Sequence, residues 1–226
     1  MVESNYYRNF LSDIEQEVYD RILGCWDSHS TVVVLPSSYY GETDSAAIVR
    51  AVALDHPEVF WVDYYHFSEI HRFFSTTLAF NYFMNESERN KAEEEVNDWK
   101  KYILQYIAPS ASPKDKLWLL YDYLARQVNY VERGSMYSHT LLGCVPSFGH
   151  AAVCEGIAKG YKFLSNAVDL PCTVIEGTLY MEKHKPIPHA WNMLQTKKGQ
   201  LHIDVLRTGL FLKESSRMTG YMWERR

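Results

Sequence analysis

A loop rich in glycine, serine and proline, Gly134 to Gly149, leads almost directly into the segment AVCEGIAKGYKFL, Ala152 to Leu164. From there Ile157, Tyr161, Leu164 and Val168 recur at helical spacing. Turn residues giving way to a helical period place a helix N-terminus at Cys154. Unpaired backbone N–H groups and the helix dipole favour negative charge on a sulfur held there. The same donors can take the oxygen of an attacked carbonyl. A free cysteine is more often a small buried hydrophobe, however, so the nucleophile reading needs a base within reach.

The composition bounds the rest. A chain of 226 residues, 46% hydrophobic and 15% aromatic, is long enough for one well-buried core. Its net charge of -5, with lysine and arginine scattered, lacks the footprint of phosphate-backbone binding, so nucleic acid is not an expected partner. No apolar run approaches the roughly 20 residues of a membrane helix. Met1 to Phe10 has neither the basic nor the apolar region of an export signal, and the compartment stays open. Cys25, Cys144, Cys154 and Cys172 are too irregularly spaced for a disulfide scaffold, and no CxxC or HxxxH pair has the mate that structural zinc needs.

Periodicity organises the chain ahead of the loop. Phe10, Leu11, Ile14, Val18, Ile22 and Leu23 predict a helix with Gly24 as its stop. Thr31 to Leu35 reads as a strand, and Asp44 or Ser45 caps a helix running to Leu54. Val59 to Tyr65 turns extended and aromatic, with Arg72 to Phe83 as a hairpin partner. Glu86 to Ile107 predicts a helix that buries Val96, Trp99, Ile103, Leu104 and Ile107 and wets its acidic run. Ser112-Pro113 starts another, Lys114 to Val128, striped by Leu117, Leu120, Tyr121, Leu124 and Val128.

Beyond the cysteine helix, Cys172 to Gly177 is extended, and a polar loop with His184 precedes HAWNML, His189 to Leu194. A lysine-rich turn then leads to QLHIDVL, Gln200 to Leu206, so the two runs form a hairpin. A loop centred on Thr196 and Lys197 sets His189 opposite Asp204, whereas a tight turn at Lys198-Gly199 pairs it with Thr208. In the first register a thiol, an imidazole and an orienting carboxylate are available together. His150, just ahead of Cys154, is a rival base, and Asp204 alone is open to a reading as a buried carboxylate satisfied by backbone donors.

Taken together, AVCEGIAKGYKFL, the Leu170-Pro171-Cys172 stretch, HAWNML and LHIDV resemble the bacterial transglutaminase-like superfamily, in the order Cys, His, Asp. KLWLLYDYLARQVNY, Lys116 to Tyr130, and DHPEVFWV, Asp55 to Val62, resemble parts found upstream in such proteins. The resemblance covers about half the chain closely and most of it loosely. It implies an α+β, papain-like core with the nucleophile helix packed on an antiparallel sheet, carried by residues 111–226. Residues 1–110 form a helical and strand extension packed on it as one unit. It implies Cys154 as nucleophile, His189 as proton partner, Asp204 as orienting group, Trp191 packed over the site and Asn192 in a structural role. Two departures stand out. Val205, Leu206 and Arg207 follow Asp204 where the family commonly has Pro and Thr, and Phe148 stands where the papain pattern has a glutamine.

The implied chemistry is acyl transfer through a thioester on a protein or peptide substrate, with no metal or organic cofactor. Water as acceptor gives a peptidase or amidase, and a lysine amine gives a crosslinking transglutaminase. Without a cluster of carboxylates to hold calcium, the hydrolytic role is the expected one. The rival is a catalytically silent binding or scaffold module, for which Tyr6, Tyr7, Tyr39, Tyr40, Tyr64 and Tyr65 supply candidate surface. Tyrosine is also an ordinary amphipathic packing residue.

Overall fold

A computed structural model describes residues 5–39, 44–73, 75–180, 185–196 and 199–206. Tyr40, the loop position His184, the Lys197-Lys198 turn and Thr208 lie outside the described residues. The chain divides into two units, Asn5–Glu93 and Glu94 onward.

The first unit holds α1 (Asp13–Asp27), β1 (Val32–Val34), α2 (Ser45–Asp55), β2 (Val62–Arg72), β3 (Ser75–Tyr82) and the start of α3 (Glu86–Leu104). Ser12 and Glu15 form a capping box on α1. The helix does not stop at Gly24. It continues to Asp27 because Cys25 and Trp26 are buried, Trp26 packing edge-on against Phe80 with ring centroids 5.4 Å apart. Burial of a tryptophan outweighs the roughly 1 kcal/mol that an interior helical glycine costs. Asp44 caps α2, its carboxylate accepting from the N–H groups of Ala46 and Ala47. The sheet is antiparallel with order β1-β3-β2. Arg72 belongs to β2 and not to its partner strand, because a bulge between Asp63 and Phe67 lengthens β2. The Asp63 carboxylate takes the N–H groups of Tyr65 and His66 within that bulge.

The second unit holds the rest of α3, then α4 (Pro113–Gln127), β4 (Asn129–Tyr130), β5 (Ala151–Ala152), α5 (Cys154–Asn166), β6 (Thr173–Leu179), β7 (Ile187–Thr196) and β8 (Gly199–Ile203). Ser112 caps α4, Pro113 occupies its first turn, and Leu117, Leu120, Tyr121 and Leu124 are its buried stripe. Helix α5 packs against the antiparallel sheet β6-β7-β8, giving an α+β unit. The stretch before α5 is more ordered than a glycine-rich loop suggests. It folds into three 3-10 turns, Met136–His139, Leu141–Cys144 and Pro146–Phe148. Two glycines let these turns close on the helix: a Cβ on Gly156 would stand 2.2 Å from the Ser138 carbonyl oxygen, and one on Gly160 would stand 2.7 Å from the Cys144 sulfur.

Candidate active site

Cys154 is the first residue of α5. Val153 ahead of it is extended and supplies no side-chain cap, so the opening N–H groups of the helix stay available beside the sulfur. Val153 itself donates to the Ser138 carbonyl at 3.1 Å, which pins the helix start to the first 3-10 turn. Glu155 follows, buried, with an oxygen 2.8 Å from the Lys159 ammonium one helical turn on and the other 3.5 Å from His139 Nδ1. The acid–base spacing of Glu155 and Lys159 was visible in the sequence, whereas their burial was not.

The other three thiols are unsuited to attack. Burial pushes the pKa of Cys25 and Cys144 up and that of Cys172 up to about 11, the last moderated by Ser165, Lys162 and Asn192. Cys25 and Cys144 donate to carbonyls of Ser30 and Gly156. Cys154 is half-exposed while its three counterparts are buried.

His189 lies on β7 opposite Gly177 of β6. Neither register considered from sequence is the one formed. Thr196 pairs with Gly199 and Asn192 with Ile203, so Asp204 falls beside Trp191, one step past the last pair. His189 and Asp204 are thus diagonal neighbours instead of direct partners. They still meet, because β8 ends at Ile203 and frees Asp204 from the ladder. His189 Nε2 is 2.8 Å from Asp204 Oδ2, with both residues buried. Asp204 Oδ1 accepts from the Leu206 N–H at 3.1 Å, a side-chain turn that forms without the family's proline.

Cys154 is among the groups that raise the pKa of the same imidazole. Burial alone would lower the His189 pKa. Hydrogen bonds to Asp204 and Cys154, and then the charges of both, outweigh it and raise the value to about 9. Of the three residues singled out from sequence, His189 and Asp204 are in direct contact, and Cys154 is among the groups that raise the His189 pKa. His150 stands apart: its ring bonds to the Cys144 backbone, and burial lowers its pKa.

Trp191 stacks on His189, ring centroids 6.1 Å apart and planes 19° from parallel. Its indole N–H donates to His202 Nδ1 at 2.9 Å, which locks the indole, and burial keeps His202 toward its neutral form. Asn192 Nδ2 donates to the Ala158 carbonyl of α5 at 2.9 Å, tying the histidine strand to the cysteine helix.

No family model matches the chain, and no curated protein sequence matches it. Among solved structures it is similar to a TGase at 14% identity, covering 69% of this chain and 47% of that one with a TM-score of 0.44. It is also similar to a candidate cysteine protease from Cytophaga hutchinsonii at 10% identity, covering 63% of this chain and 62% of that one with a TM-score of 0.42. The chain spans less than two thirds of either protein. At such identity the roles of Cys154, His189 and Asp204 rest on their own chemistry.

Proposed function

We propose that this chain is a cysteine acyl hydrolase acting on amide bonds, with Cys154 as nucleophile, His189 as acid and base, and Asp204 as the group that orients His189. One observation carries the reading: a buried imidazole is joined to a carboxylate at 2.8 Å through Nε2, and a cysteine at a helix N-terminus is among the groups that raise its pKa. The thiolate attacks a carbonyl carbon, forming the C–S bond and moving the carbonyl pair onto oxygen. Backbone N–H groups opening α5 stabilise that oxyanion. As it collapses to a thioester the C–N bond breaks, and His189 gives its proton to the departing amine. A water, losing its proton to His189, then releases the acid and regenerates the sulfur. Asp204 holds the ring in place and stabilises its protonated form throughout.

Alkylation tests the pairing. An ordinary thiol loses roughly 75-fold of its iodoacetamide rate between pH 8 and pH 6, as the thiolate fraction falls. If His189 activates it, Cys154 is expected to be labelled much faster at pH 6 than the other three cysteines. A full loss of rate, equal in His189→Ala, would favour a silent scaffold. Peptide and glutamine-donor libraries, assayed with a Cys154→Ala control, then separate release of free acid from transfer to a lysine amine.

A further inference from the structure

An oxyanion at Cys154 needs a second donor, and the residues nearest in sequence do not provide one. Phe148 has no donor and packs edge-on against Tyr137, ring centroids 5.4 Å apart. Val153 offers no side-chain hydrogen bond, and Glu155 is committed to Lys159. A different strand reaches the same place. β4 pairs in parallel with β5, Tyr130 aligned with Ala152, and the Val131 N–H donates to the Ala152 carbonyl at 3.1 Å. Ala152 is separated from Cys154 by Val153 alone, so the pairing fixes Tyr130 alongside the approach to the nucleophile. The tyrosine is 50% exposed, so its side chain is open to solvent.

We propose that the Tyr130 hydroxyl is the second hydrogen-bond donor to the oxyanion formed when Cys154 attacks a carbonyl. This deepens the acyl-transfer reading and presupposes it. As the C–S bond forms, the carbonyl pair moves to oxygen, and that oxygen accepts from the Tyr130 O–H and a backbone N–H of α5. The phenolic proton stays on Tyr130, and the leaving group takes its proton from His189. Burial, then the charge of Cys154 and that of Glu132, raise the Tyr130 pKa, so the phenol remains a donor throughout the working pH range.

The test compares two reactions of one sulfur in the full chain. Iodoacetamide alkylates by direct displacement and forms no oxyanion, whereas p-nitrophenyl acetate acylates through a tetrahedral oxyanion and releases p-nitrophenolate without needing a proton. Tyr130→Phe, which keeps the ring and removes the hydroxyl, is expected to slow acetylation roughly ten- to a hundredfold. Its iodoacetamide rate should stay within about twofold of wild type, which also reports that the fold and the Cys154–His189 pair are intact. Acetylation at the wild-type rate would overturn the proposal, as would both rates falling together, which would mean that Tyr130 acts on the thiolate. If Cys154→Ala acetylates as fast as wild type, the acyl-transfer reading itself fails, and this shows before any Tyr130 variant is measured.

Discussion

Replacing Asp204 with asparagine keeps the side chain's shape and its Oδ1 acceptor for the Leu206 N–H, while removing the charge that faces His189 Nε2 at 2.8 Å. The imidazole pKa stands at about 9 against an ordinary 6.5, with the Asp204 hydrogen bond the leading upward influence and Cys154 next. At about 1.4 kcal/mol per pH unit that elevation corresponds to ~3 kcal/mol, of which the larger part belongs to Asp204. A folded-state value raised above the unfolded one stabilises fully below pH 6.5, and the contribution is lost as pH rises through about 9. Asp204→Asn is therefore expected to cost roughly 1.5–3 kcal/mol more at pH 6 than at pH 10, beyond any loss that does not vary with pH. Urea unfolding of both proteins across that range measures it, and NMR titration of the His189 ring locates the proton directly. Without the carboxylate, burial should bring the ring's titration midpoint well below 9. An imidazole still titrating near 9 in the variant, or an unfolding difference that is flat from pH 6 to pH 10, would refute the reasoning.

Further outcomes follow from other contacts. Acyl transfer should decline as pH rises through about 9, where His189 loses the proton it gives to the leaving amine, and a kcat/KM profile against pH reads that limb. Gly156→Ala should destabilise by about 1–3 kcal/mol in urea, because the added Cβ meets the Ser138 carbonyl. Gly24→Ala should instead stabilise by about 0.5–1 kcal/mol, since a Cβ there meets nothing within 4 Å inside α1. Asn192→Ala should cost about 1–3 kcal/mol and should also lower the Cys154 alkylation rate at pH 6, because its amide ties β7 to α5. An unchanged alkylation rate in that variant would show that the strand and helix keep their docking without the amide.

Much of the local structure was legible because it rests on short-range chemistry. Asp44, and Ser112 with Pro113, announce helix starts through groups that satisfy or dispense with orphan N–H donors. The helix at Cys154 shows itself as a change of period. What failed was decided at longer range. Gly24 looks like a stop until Trp26 finds Phe80. The hairpin register could not be fixed from sequence, because the segment between the two strands carries none of the Asn-Gly or Asp-Gly chemistry that specifies it. Lys159 and Lys162 are both buried, a placement that residue type alone does not announce, since lysine is ordinarily exposed. The meeting of His189 with Asp204 could be named from the residue types, but its diagonal geometry required knowing where β8 ends.

The buried charges on α5 bear on how the site tolerates an acid next to its nucleophile. A carboxylate in the first turn suits the helix dipole. Beside Cys154 the same charge opposes a thiolate, and burial strengthens that opposition by removing the water that would screen it. Lys159, 2.8 Å from Glu155 and equally buried, cancels most of the charge at its source. A buried ion pair of this kind is weak evidence for stability, because desolvation of both ions offsets their attraction. Its effect here is electrostatic: the lysine offsets a carboxylate that directly follows Cys154. Replacing Lys159 with methionine would remove the cation 2.8 Å from Glu155, so the alkylation rate of Cys154 should fall even though the lysine lies more than one helical turn along α5.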